Sequence, residues 1–268
     1  MRYITIYISR YNIVKENNFL TGSVITKEKI DYLIKANRIP LWVEKSYADI
    51  TEKLSNASFP CLFGRHAWKL ETILFSFISK ENRASDIISS FSELTNVTKI
   101  KKEEERLYSP LLCIFEETKF NSIEKEQSFA WEQLQILHDN DISVWPDSIP
   151  EDPECSEWTF CFNDIELFIN ISCPGHKKII SRNLGDNIIF VVNPRKHFDI
   201  VANANDPKGV KIREKIRSRV KIYNNDDSPL ELGFYGDHNN REWKQYALHE
   251  PGSDMPASCP LKIKKIQQ

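Results

Sequence analysis

The sequence predicts an α+β fold, with one domain whose mainly antiparallel sheet is flanked by helices. The first observation is a β-hairpin pattern at residues 158–171, where two apolar runs are separated by Asn163-Asp164, a pair that tolerates positive φ angles. The second is a series of amphipathic stretches with helical period, set between shorter apolar runs of strand type. Hydrophobic residues make up 41% of the chain, which is enough to bury a sizeable core.

Before the hairpin, residues 1–25 are weakly patterned and are predicted to be an N-terminal arm, with residues 26–268 forming the domain. Residues 58–63 contain Pro60 and are predicted to be extended. The spacing of apolar residues predicts four helices, over Thr26–Ala36, Leu41–Leu54, Ser85–Leu94 and Ile123–His138, and two strands, over Lys69–Ile78 and Ser109–Phe115.

After the hairpin, a third strand is predicted over Asn187–Val192, because Asn193-Pro194 ends the apolar run. A helix rich in Lys and Arg is predicted over Asp206–Arg219, and its charged face is of the kind that is usually solvated. The residues from Asn224 onward contain many Pro and Gly and are predicted to be rich in loops. The acidic segment Pro146–Glu157 is the one candidate for a domain boundary, and we do not predict that it divides the chain.

The charge and the apolar runs exclude two classes of partner. The formal net charge is -2 and the pI is about 6.3, so the chain has no overall attraction to nucleic acid. The apolar runs are too short to span a bilayer, and the first residues do not form an export signal. We therefore expect a cytoplasmic protein whose cysteines are free thiols.

Short motifs exclude several enzyme classes. The chain contains no H-E-x-x-H motif, no Gly-rich phosphate loop of the usual kinds and no G-x-S-x-G elbow. Cys173 and His176 have the spacing of half a zinc site, but a structural site needs four ligands and no second close pair is present.

The segment around His176 carries the parts of a haem site. An apolar strand is expected to stop at Cys173-Pro174-Gly175, which places His176 on a loop at a strand end, followed by Lys177 and Arg182. A neutral imidazole binds iron, and cations pair with haem propionates. Spacing alone also fits a solvated loop histidine among solvated cations, and that is the commoner outcome.

Two other side chains are weaker candidates for an iron ligand. Cys61 is flanked by Pro60 and by apolar residues that include Phe63, so it is either a thiolate ligand or a buried apolar cysteine. His66 is either a pocket residue or a residue at a helix start. His197 is predicted to be exposed.

Several segments, in the same order, resemble the YqcI/YcgG family over roughly residues 59–259. No single one of them is a general catalytic signature, and the resemblance rests on their order. They are FPCLFGRHAW at 59–68, the hairpin at 158–168, ISCPGHKKIISRNLG at 171–185, VVNPRKHFD at 191–199, KIREKIR at 211–217, ELGFYGD at 231–237, EWKQYAL at 242–248 and Cys259-Pro260.

The resemblance implies a haem-dependent oxygenase. Family members with assigned roles are haem proteins that hydroxylate a guanidine nitrogen of arginine or of an arginine-derived compound. A similar activity here implies haem b (protohaem) with a histidine ligand, and His176 is the histidine within a matching motif. The oxidant is then dioxygen or peroxide, the substrate a guanidine or an amine, and a homodimer remains an open alternative to a monomer.

The resemblance also implies roles for other side chains. A carboxylate is expected to hold the cationic guanidinium, and Asp199, Asp237 and Glu242 are unranked candidates. Arg182 and Arg195 suit haem propionates or a substrate carboxylate. Lys177, Cys61 and Phe63 complete the set of expected cofactor contacts.

The chain departs from the family pattern in the histidine loop and at its N-terminal end. Cys173 and Gly175 stand where the family commonly has a small or hydroxyl residue and an alanine. Two alternatives therefore stay open beside the oxygenase. One is a haem-binding or stress-related protein without turnover, and the other is a haem-free interaction protein of the same fold.

Overall fold

A computed structural model describes residues 19–264 of the chain. Six strands form one sheet in the order β1-β2-β3-β6-β5-β4. All neighbouring pairs are antiparallel except β2 and β3, so the predicted α+β fold with a mainly antiparallel sheet is confirmed. The strands are β1 (Ile25–Thr26), β2 (Leu74–Ile78), β3 (Leu111–Phe115), β4 (Phe160–Phe162), β5 (Ile165–Ser172) and β6 (Ile189–Pro194).

Eight α-helices accompany the sheet within residues 19–264. Short 3-10 turns lie at Glu103–Glu105 and Ile180–Arg182. None of the helices in this part of the chain is long and apolar enough to cross a bilayer. The helices are α1 (Lys27–Lys35), α2 (Leu41–Ser55), α3 (Leu62–Leu70), α4 (Arg83–Ile100), α5 (Ile123–Asp139), α6 (Lys196–Val201), α7 (Pro207–Tyr223) and α8 (Glu242–Tyr246).

The central strands β2 and β3 are buried on both faces, as parallel neighbours usually are. Side chains alternate between two apolar clusters because successive residues of a strand point to opposite faces. On β3, Leu111 and Cys113 join the cluster packed under α4 and α5, whereas Leu112 and Ile114 join the cluster under α1, α2 and α3. The core is therefore two layers of side chains with the sheet between them.

The predicted hairpin is confirmed, and its turn has two residues. Asn163 and Asp164 have φ angles of 52° and 59°, the left-handed conformation that a tight turn of this type requires. The Asn163 side chain also donates to Thr95 Oγ1 at 2.9 Å, which ties the turn to α4. Residues 158–171 therefore fold locally in the way that their pattern indicates.

The segment around Cys61 differs from its prediction. Residues 58–63 were expected to be extended, but α3 begins at Leu62, and the Cys61 Sγ caps this helix by accepting from the Gly64 N–H at 3.2 Å. The strand expected from Lys69 begins only at Leu74, because α3 runs to Leu70. A thiol cap is a weak helix signal, so the pattern did not reveal it.

The predicted arm, residues 1–25, lies mostly outside the described residues. In the part that is described, the Gly22 N–H donates to the Phe77 carbonyl at 2.9 Å, and Val24 is 2% exposed. Residues 19–25 therefore lead directly into the edge of the sheet.

Candidate functional site

A cavity of about 190 Å³ lies where α3, α6, α7 and α8 meet the middle of β5, the end of β6 and the 3-10 turn at Ile180–Arg182. We call it the Glu242 pocket, after the only carboxylate among its lining residues. Its walls combine aromatic rings with guanidinium groups, which gives an apolar pocket with a few polar groups, as small-molecule sites usually are. The lining side chains used below are those of Cys61, Phe63, Phe168, Arg182, Arg195, Phe198, Arg213, Arg217, Tyr235 and Glu242.

Glu242 is 2% exposed and is held by neutral donors. Its Oε1 accepts from the Thr159 hydroxyl at 2.5 Å and from the Tyr246 hydroxyl at 2.9 Å. Its Oε2 lies 3.8 Å from Arg195 Nε, which is too far for a hydrogen bond. Burial raises the pKa of Glu242 to about 7, although Arg195 acts in the opposite direction. The carboxyl group can therefore exchange a proton near neutral pH.

Arg195 forms the second half of this pair. It is 4% exposed, and its guanidinium carbon lies 3.1 Å from the centre of the Tyr235 ring. Its Nη2 is 3.6 Å from the exposed carboxylate of Asp199, and its Nε has no hydrogen-bond partner among residues 19–264. Burial raises the pKa of Tyr235 to about 12, so this hydroxyl stays protonated beneath the cation. Arg195 thus retains a donor for a ligand.

Three further guanidinium groups line the pocket. Arg182 donates to the carbonyls of Gln245 and Tyr246 at 3.0 and 3.4 Å, and Arg213 donates from Nε to the Ala202 carbonyl at 2.7 Å. The guanidinium carbon of Arg217 lies 4.6 Å from the centre of the Phe234 ring. With Arg195, four guanidinium groups and one carboxylate line the pocket, so the pocket attracts an anionic group.

Cys61 and Phe63 reach the pocket from the beginning of α3. Burial raises the pKa of the Cys61 thiol, although hydrogen bonds from backbone N–H groups and the charge of Arg182 act in the opposite direction. The sulfur is therefore a neutral thiol in this structure.

His176 is buried rather than solvated, with 1% exposure. Its Nδ1 lies 3.0 Å from Glu250 Oε2, and its Nε2 has no hydrogen-bond partner among the described residues. Burial lowers the pKa of His176 to about 4 despite the neighbouring Glu250, so the ring is neutral. A neutral ring that donates from Nδ1 to Glu250 leaves the lone pair of Nε2 free.

Glu250 also fixes the loop that carries His176. Its carboxylate accepts from the backbone N–H groups of Lys177, Lys178 and Ile179, with the longest of these bonds at 3.2 Å. Burial alone raises the pKa of Glu250, but these bonds and the one from His176 together hold it below its ordinary value. The side chain therefore remains ionised and holds the ring in one orientation.

The length of β5 separates His176 from the Arg195 side of the Glu242 pocket, although Arg182, which also lines the pocket, lies beside the His176 loop. The Arg195 N–H donates to the Glu166 carbonyl at 2.9 Å, near the beginning of β5, whereas the His176 N–H donates to the carbonyl of Cys173, one residue beyond its end. The strand rises about 3.3 Å per residue, so roughly 20 Å lies between these two anchors. Arg182 bridges part of this distance, because its carbonyl accepts from the Cys173 N–H at 2.9 Å.

The structure thus brings together some of the residues that the sequence selected. Cys61, Phe63, Arg182, Arg195 and Glu242 share one pocket. The other four lie outside it: His176 and Lys177 are in the loop after β5, Asp199 is exposed beside Arg195, and Asp237 is exposed in the loop before α8.

Sequence reasoning missed several residues of these clusters. The helix containing Arg213 was predicted to present a solvated basic face, yet the Arg213 side chain lines the pocket. Tyr235 lies in a loop without periodic pattern, and Glu250 is far from His176 in the chain. His197 was predicted to be exposed, which is wrong, since it is 3% exposed. Short polar motifs do not reveal which side of a short helix such as α6 is buried.

The two clusters meet only part of the requirements of protohaem. The free Nε2 of His176, with Glu250 behind Nδ1, has the chemistry of an axial ligand backed by a carboxylate. The Glu242 pocket, at about 190 Å³, is smaller than the 300–1,000 Å³ usual for small-molecule sites, so a porphyrin does not fit it in this arrangement. Within residues 19–264 no group of three or more His, Cys, Asp or Glu side chains is placed to hold a bare metal ion.

Comparisons with known proteins support the family resemblance that the order of the sequence segments indicates. The model of the YqcI/YcgG family matches residues 50–262. The protein named "Putative N(omega)-hydroxy-L-arginine synthase DcsA" from Streptomyces lavendulae is 32% identical over 228 residues, which cover 83% of this chain and 85% of that protein. No solved structure matches significantly.

Two proteins of Bacillus subtilis (strain 168) are similar over comparable lengths. The uncharacterized protein YcgG is 29% identical over 92% of this chain and 97% of its own length. The uncharacterized protein YqcI is 30% identical over 85% of this chain and 91% of its own length. The chain belongs to the YqcI/YcgG family.

Proposed function

We propose that this protein is an oxygenase that hydroxylates a guanidine nitrogen of an arginine-like molecule bound in the Glu242 pocket. The observation that carries the proposal is the buried Glu242, whose Oε2 faces a small cavity lined by aromatic rings and guanidinium groups. The similarity to a protein named as an N(omega)-hydroxy-L-arginine synthase supports the choice of substrate class.

The charges of the pocket fit a molecule with a cation at one end and an anion at the other. Glu242 is the carboxylate that receives the substrate guanidinium through a charge-assisted hydrogen bond. Arg213 and Arg217 on α7 suit the substrate carboxylate at the other end, because Arg195 Nε lies only 3.8 Å from Glu242 Oε2. The excess of positive charge disfavours a ligand that carries only positive groups.

Glu242 also has a pKa suited to moving a proton. A guanidinium nitrogen must lose a proton before it offers a lone pair to an oxidant. The pKa of Glu242 is raised to about 7 by burial, so Oε2 can accept that proton at neutral pH. Thr159 and Tyr246 hold the other carboxyl oxygen in place.

The reaction replaces an N–H bond with an N–O–H group. With hydrogen peroxide, the O–O bond breaks, one oxygen atom bonds to nitrogen and the other leaves as water. With dioxygen, the second oxygen atom is reduced to water by two electrons and two protons from an external reductant. Aromatic side chains such as Phe168 and Phe198 make part of the pocket wall apolar.

Protohaem is the cofactor in this proposal; His176 Nε2 would be the side-chain donor that holds it, and Cys61 Sγ would be the alternative donor. When bound, it supplies the activation of the oxidant. The free, buried Nε2 supports His176, whereas the position of Cys61 in the pocket wall supports the alternative. Either choice requires the surrounding segments to move apart.

The test of the activity uses protein purified after hemin addition, L-arginine and hydrogen peroxide, with mass spectrometry of the product. The expected product is heavier than arginine by one oxygen atom. Glu242→Gln keeps the size and the Thr159 and Tyr246 contacts but removes the charge, and should lower kcat/KM by about 10- to 100-fold. If the wild type and Glu242→Gln have equal kcat/KM, Glu242 neither binds the substrate nor moves its proton.

The ligand is tested separately by hemin titration of His176→Ala and Cys61→Ala. Loss of His176 should abolish the tight component of hemin binding, because the porphyrin loses its axial bond. Cys61→Ala should bind as the wild type does. If Cys61→Ala loses hemin and His176→Ala keeps it, the ligand is Cys61. The wild type should then show the red-shifted Soret band of a thiolate-ligated haem when carbon monoxide is added. Absence of any Soret band in all three proteins contradicts the haem proposal itself.

The separation of the two clusters along β5 favours one second candidate, a haem-binding protein without turnover. The backbone anchors of His176 and of Arg195, which lies beside Glu242, are roughly 20 Å apart along β5, so His176 could hold haem without taking part in chemistry at Glu242. Under this candidate, hemin binds and His176→Ala releases it, but arginine shows no oxygenated product with either oxidant.

A further inference from the structure

Arg195 places a guanidinium group of the protein itself inside the Glu242 pocket. The residue is 4% exposed and lines the cavity. Its Nε lies 3.8 Å from Glu242 Oε2 and its Nη2 lies 3.6 Å from Asp199 Oδ1, and both distances exceed that of a hydrogen bond. The Nε has no hydrogen-bond partner in the part of the chain that the structure describes. This cation therefore lies between two carboxylates without a close contact to either.

The surroundings of this group are those of a site for a planar cation. The Tyr235 ring lies against one face of the guanidinium, whose carbon is 3.1 Å from the ring centre. The Tyr235 hydroxyl donates to the Glu157 carbonyl, which holds the ring from its other end. The buried carboxylate of Glu242 lies beside the group. An aromatic face and a carboxylate are contacts through which proteins commonly bind guanidinium groups.

A substrate guanidinium at Glu242 would meet the cation of Arg195. The proposed reaction places the substrate on Glu242 Oε2, and Arg195 Nε is only 3.8 Å from the same atom. Two guanidinium groups would then share one carboxylate, and like charges repel each other strongly in a buried site. The cavity, at about 190 Å³, is also smaller than the roughly 300–1,000 Å³ usual for small-molecule sites. Both conflicts are removed if the Arg195 side chain leaves the pocket.

Asp199 provides a place for the Arg195 guanidinium outside the pocket. Arg195 is the N-cap of α6 and Asp199 follows four residues later, a spacing that brings side chains of a helix close together. The Asp199 side chain is 55% exposed, whereas that of Arg195 is 5% exposed. The gap of 3.6 Å between Nη2 and Oδ1 closes by rotation about side-chain bonds, which carries the guanidinium towards solvent.

We propose that the Arg195 guanidinium occupies the subsite of the substrate guanidinium, and that an arginine-like ligand displaces it towards Asp199. The inference rests on the proposed function and adds to it an exchange between two guanidinium groups on Tyr235 and Glu242. Glu242 keeps a cation beside it before and after the exchange. The displaced group forms an ion pair at the surface, so the exchange leaves no buried charge without a partner.

The first arm of the test asks whether the subsite accepts a free guanidinium ion, and it needs neither haem nor turnover. Melting temperatures of the wild type, Arg195→Ala and Arg83→Ala are measured in low millimolar guanidinium chloride and in equal sodium chloride. Arg83 is the matched control, since its Nε also lacks a partner within residues 19–264 but its guanidinium packs on Phe129, away from the pocket. Guanidinium should raise the melting temperature of Arg195→Ala alone. Equal responses of all three proteins overturn the inference.

The second arm tests the displacement by calorimetric titration with L-arginine at pH 9. Burial raises the pKa of Glu242 and Arg195 opposes this effect, so a basic pH keeps Glu242 more fully ionised in the variants. Removal of the internal competitor should make Arg195→Ala bind arginine about 10-fold more tightly than the wild type. Arg195→Lys retains a cation beside Glu242 and should show a smaller gain, which also serves as the readout if Arg195→Ala does not fold. Unchanged or weaker binding by these variants overturns the inference.

Asp199→Asn tests where the displaced side chain goes. It should weaken arginine binding by about 2- to 5-fold in the wild type and leave it unchanged in Arg195→Ala. The same loss in both backgrounds would mean that Asp199 acts on the ligand itself, which contradicts the exchange.

The outcomes for the inference and for the proposed function are distinguishable. Tighter arginine binding by Arg195→Ala, with no oxygenated product from the haem-loaded wild type, supports the inference and contradicts the proposed function. Oxygenated product without tighter binding by Arg195→Ala contradicts the inference alone.

Discussion

Glu242→Gln is expected to be more stable than the wild type at pH 8 and equal to it at pH 4. The pKa of Glu242 is about 7 in the folded protein and about 4.5 as an ordinary carboxyl group. Each tenfold change in a proton-dissociation constant corresponds to about 1.4 kcal/mol, so the difference in unfolding free energy between the two proteins should grow by about 3 kcal/mol over this range. Urea unfolding of both proteins at several pH values measures this difference.

The sign follows from which state binds the proton. Between pH 4.5 and 7 the folded wild type keeps the Glu242 proton that the unfolded chain has lost, so its stability falls as pH rises through this window. The glutamine of the variant does not titrate and has no such dependence. His176 and His197 act in the opposite direction, because their pKa values are lowered to about 4 and their contribution is lost as pH falls below 6.5. These histidines are present in both proteins and cancel in the comparison.

Glu250→Gln is the control, because its effect on the pH dependence of stability should have the opposite sign. The pKa of Glu250 is lowered in the fold, so its charge stabilises the native state at neutral pH, and that stability is lost on acidification. The variant should be less stable than the wild type at pH 8 and approach it at low pH. A stability difference for Glu242→Gln that does not change with pH would show that Glu242 is not buried as described.

Phe190→Ala is expected to cost about 3–5 kcal/mol of unfolding free energy. Phe190 is fully buried on β6, pairs with Cys113 on β3 and Ile171 on β5, and has its ring centre 4.8 Å from that of Phe115. Its truncation leaves a cavity in the middle of the sheet, which rigid neighbouring strands cannot close. Proteins of ordinary stability have only about 5–15 kcal/mol in total, so the variant should be close to unfolding.

Equilibrium urea unfolding also measures this effect, with Phe190→Leu as the control. Leucine retains most of the apolar volume and should cost about 1 kcal/mol. Equal losses for Leu and Ala would point to a backbone effect rather than to a cavity. Because β6 ends beside Arg195, loss of ligand binding in Phe190→Ala would follow from unfolding and not from a direct contact.

Local pattern predicted the parts of the fold that depend on neighbouring residues in the chain. The hairpin turn at Asn163-Asp164 and the amphipathic helices α1, α2 and α5 follow from residue type and period, and the structure confirms them. The start of α3 at Leu62 was missed, because a cysteine cap and a preceding proline resemble an extended segment.

The candidate site was predictable only in part, because its groups meet through the tertiary fold. Glu242 and Arg195 were selected through the family resemblance, without any means of pairing them. The burial of His176 and His197 depends on segments distant in the chain, such as the one that carries Glu250. Period and composition describe one segment at a time, so they cannot show which polar loop residues the fold encloses.

Arg182 couples the two clusters energetically. Its side chain lines the Glu242 pocket, its carbonyl accepts from the Cys173 N–H at 2.9 Å, and its charge acts on the His176 ring, whose pKa is lowered chiefly by burial. Free energies of substitutions fail to add when two sites share a partner. A substitution of Arg182 should therefore alter both what the Glu242 pocket accepts and the behaviour of the histidine loop, so relatives cannot change this residue for the sake of one cluster alone.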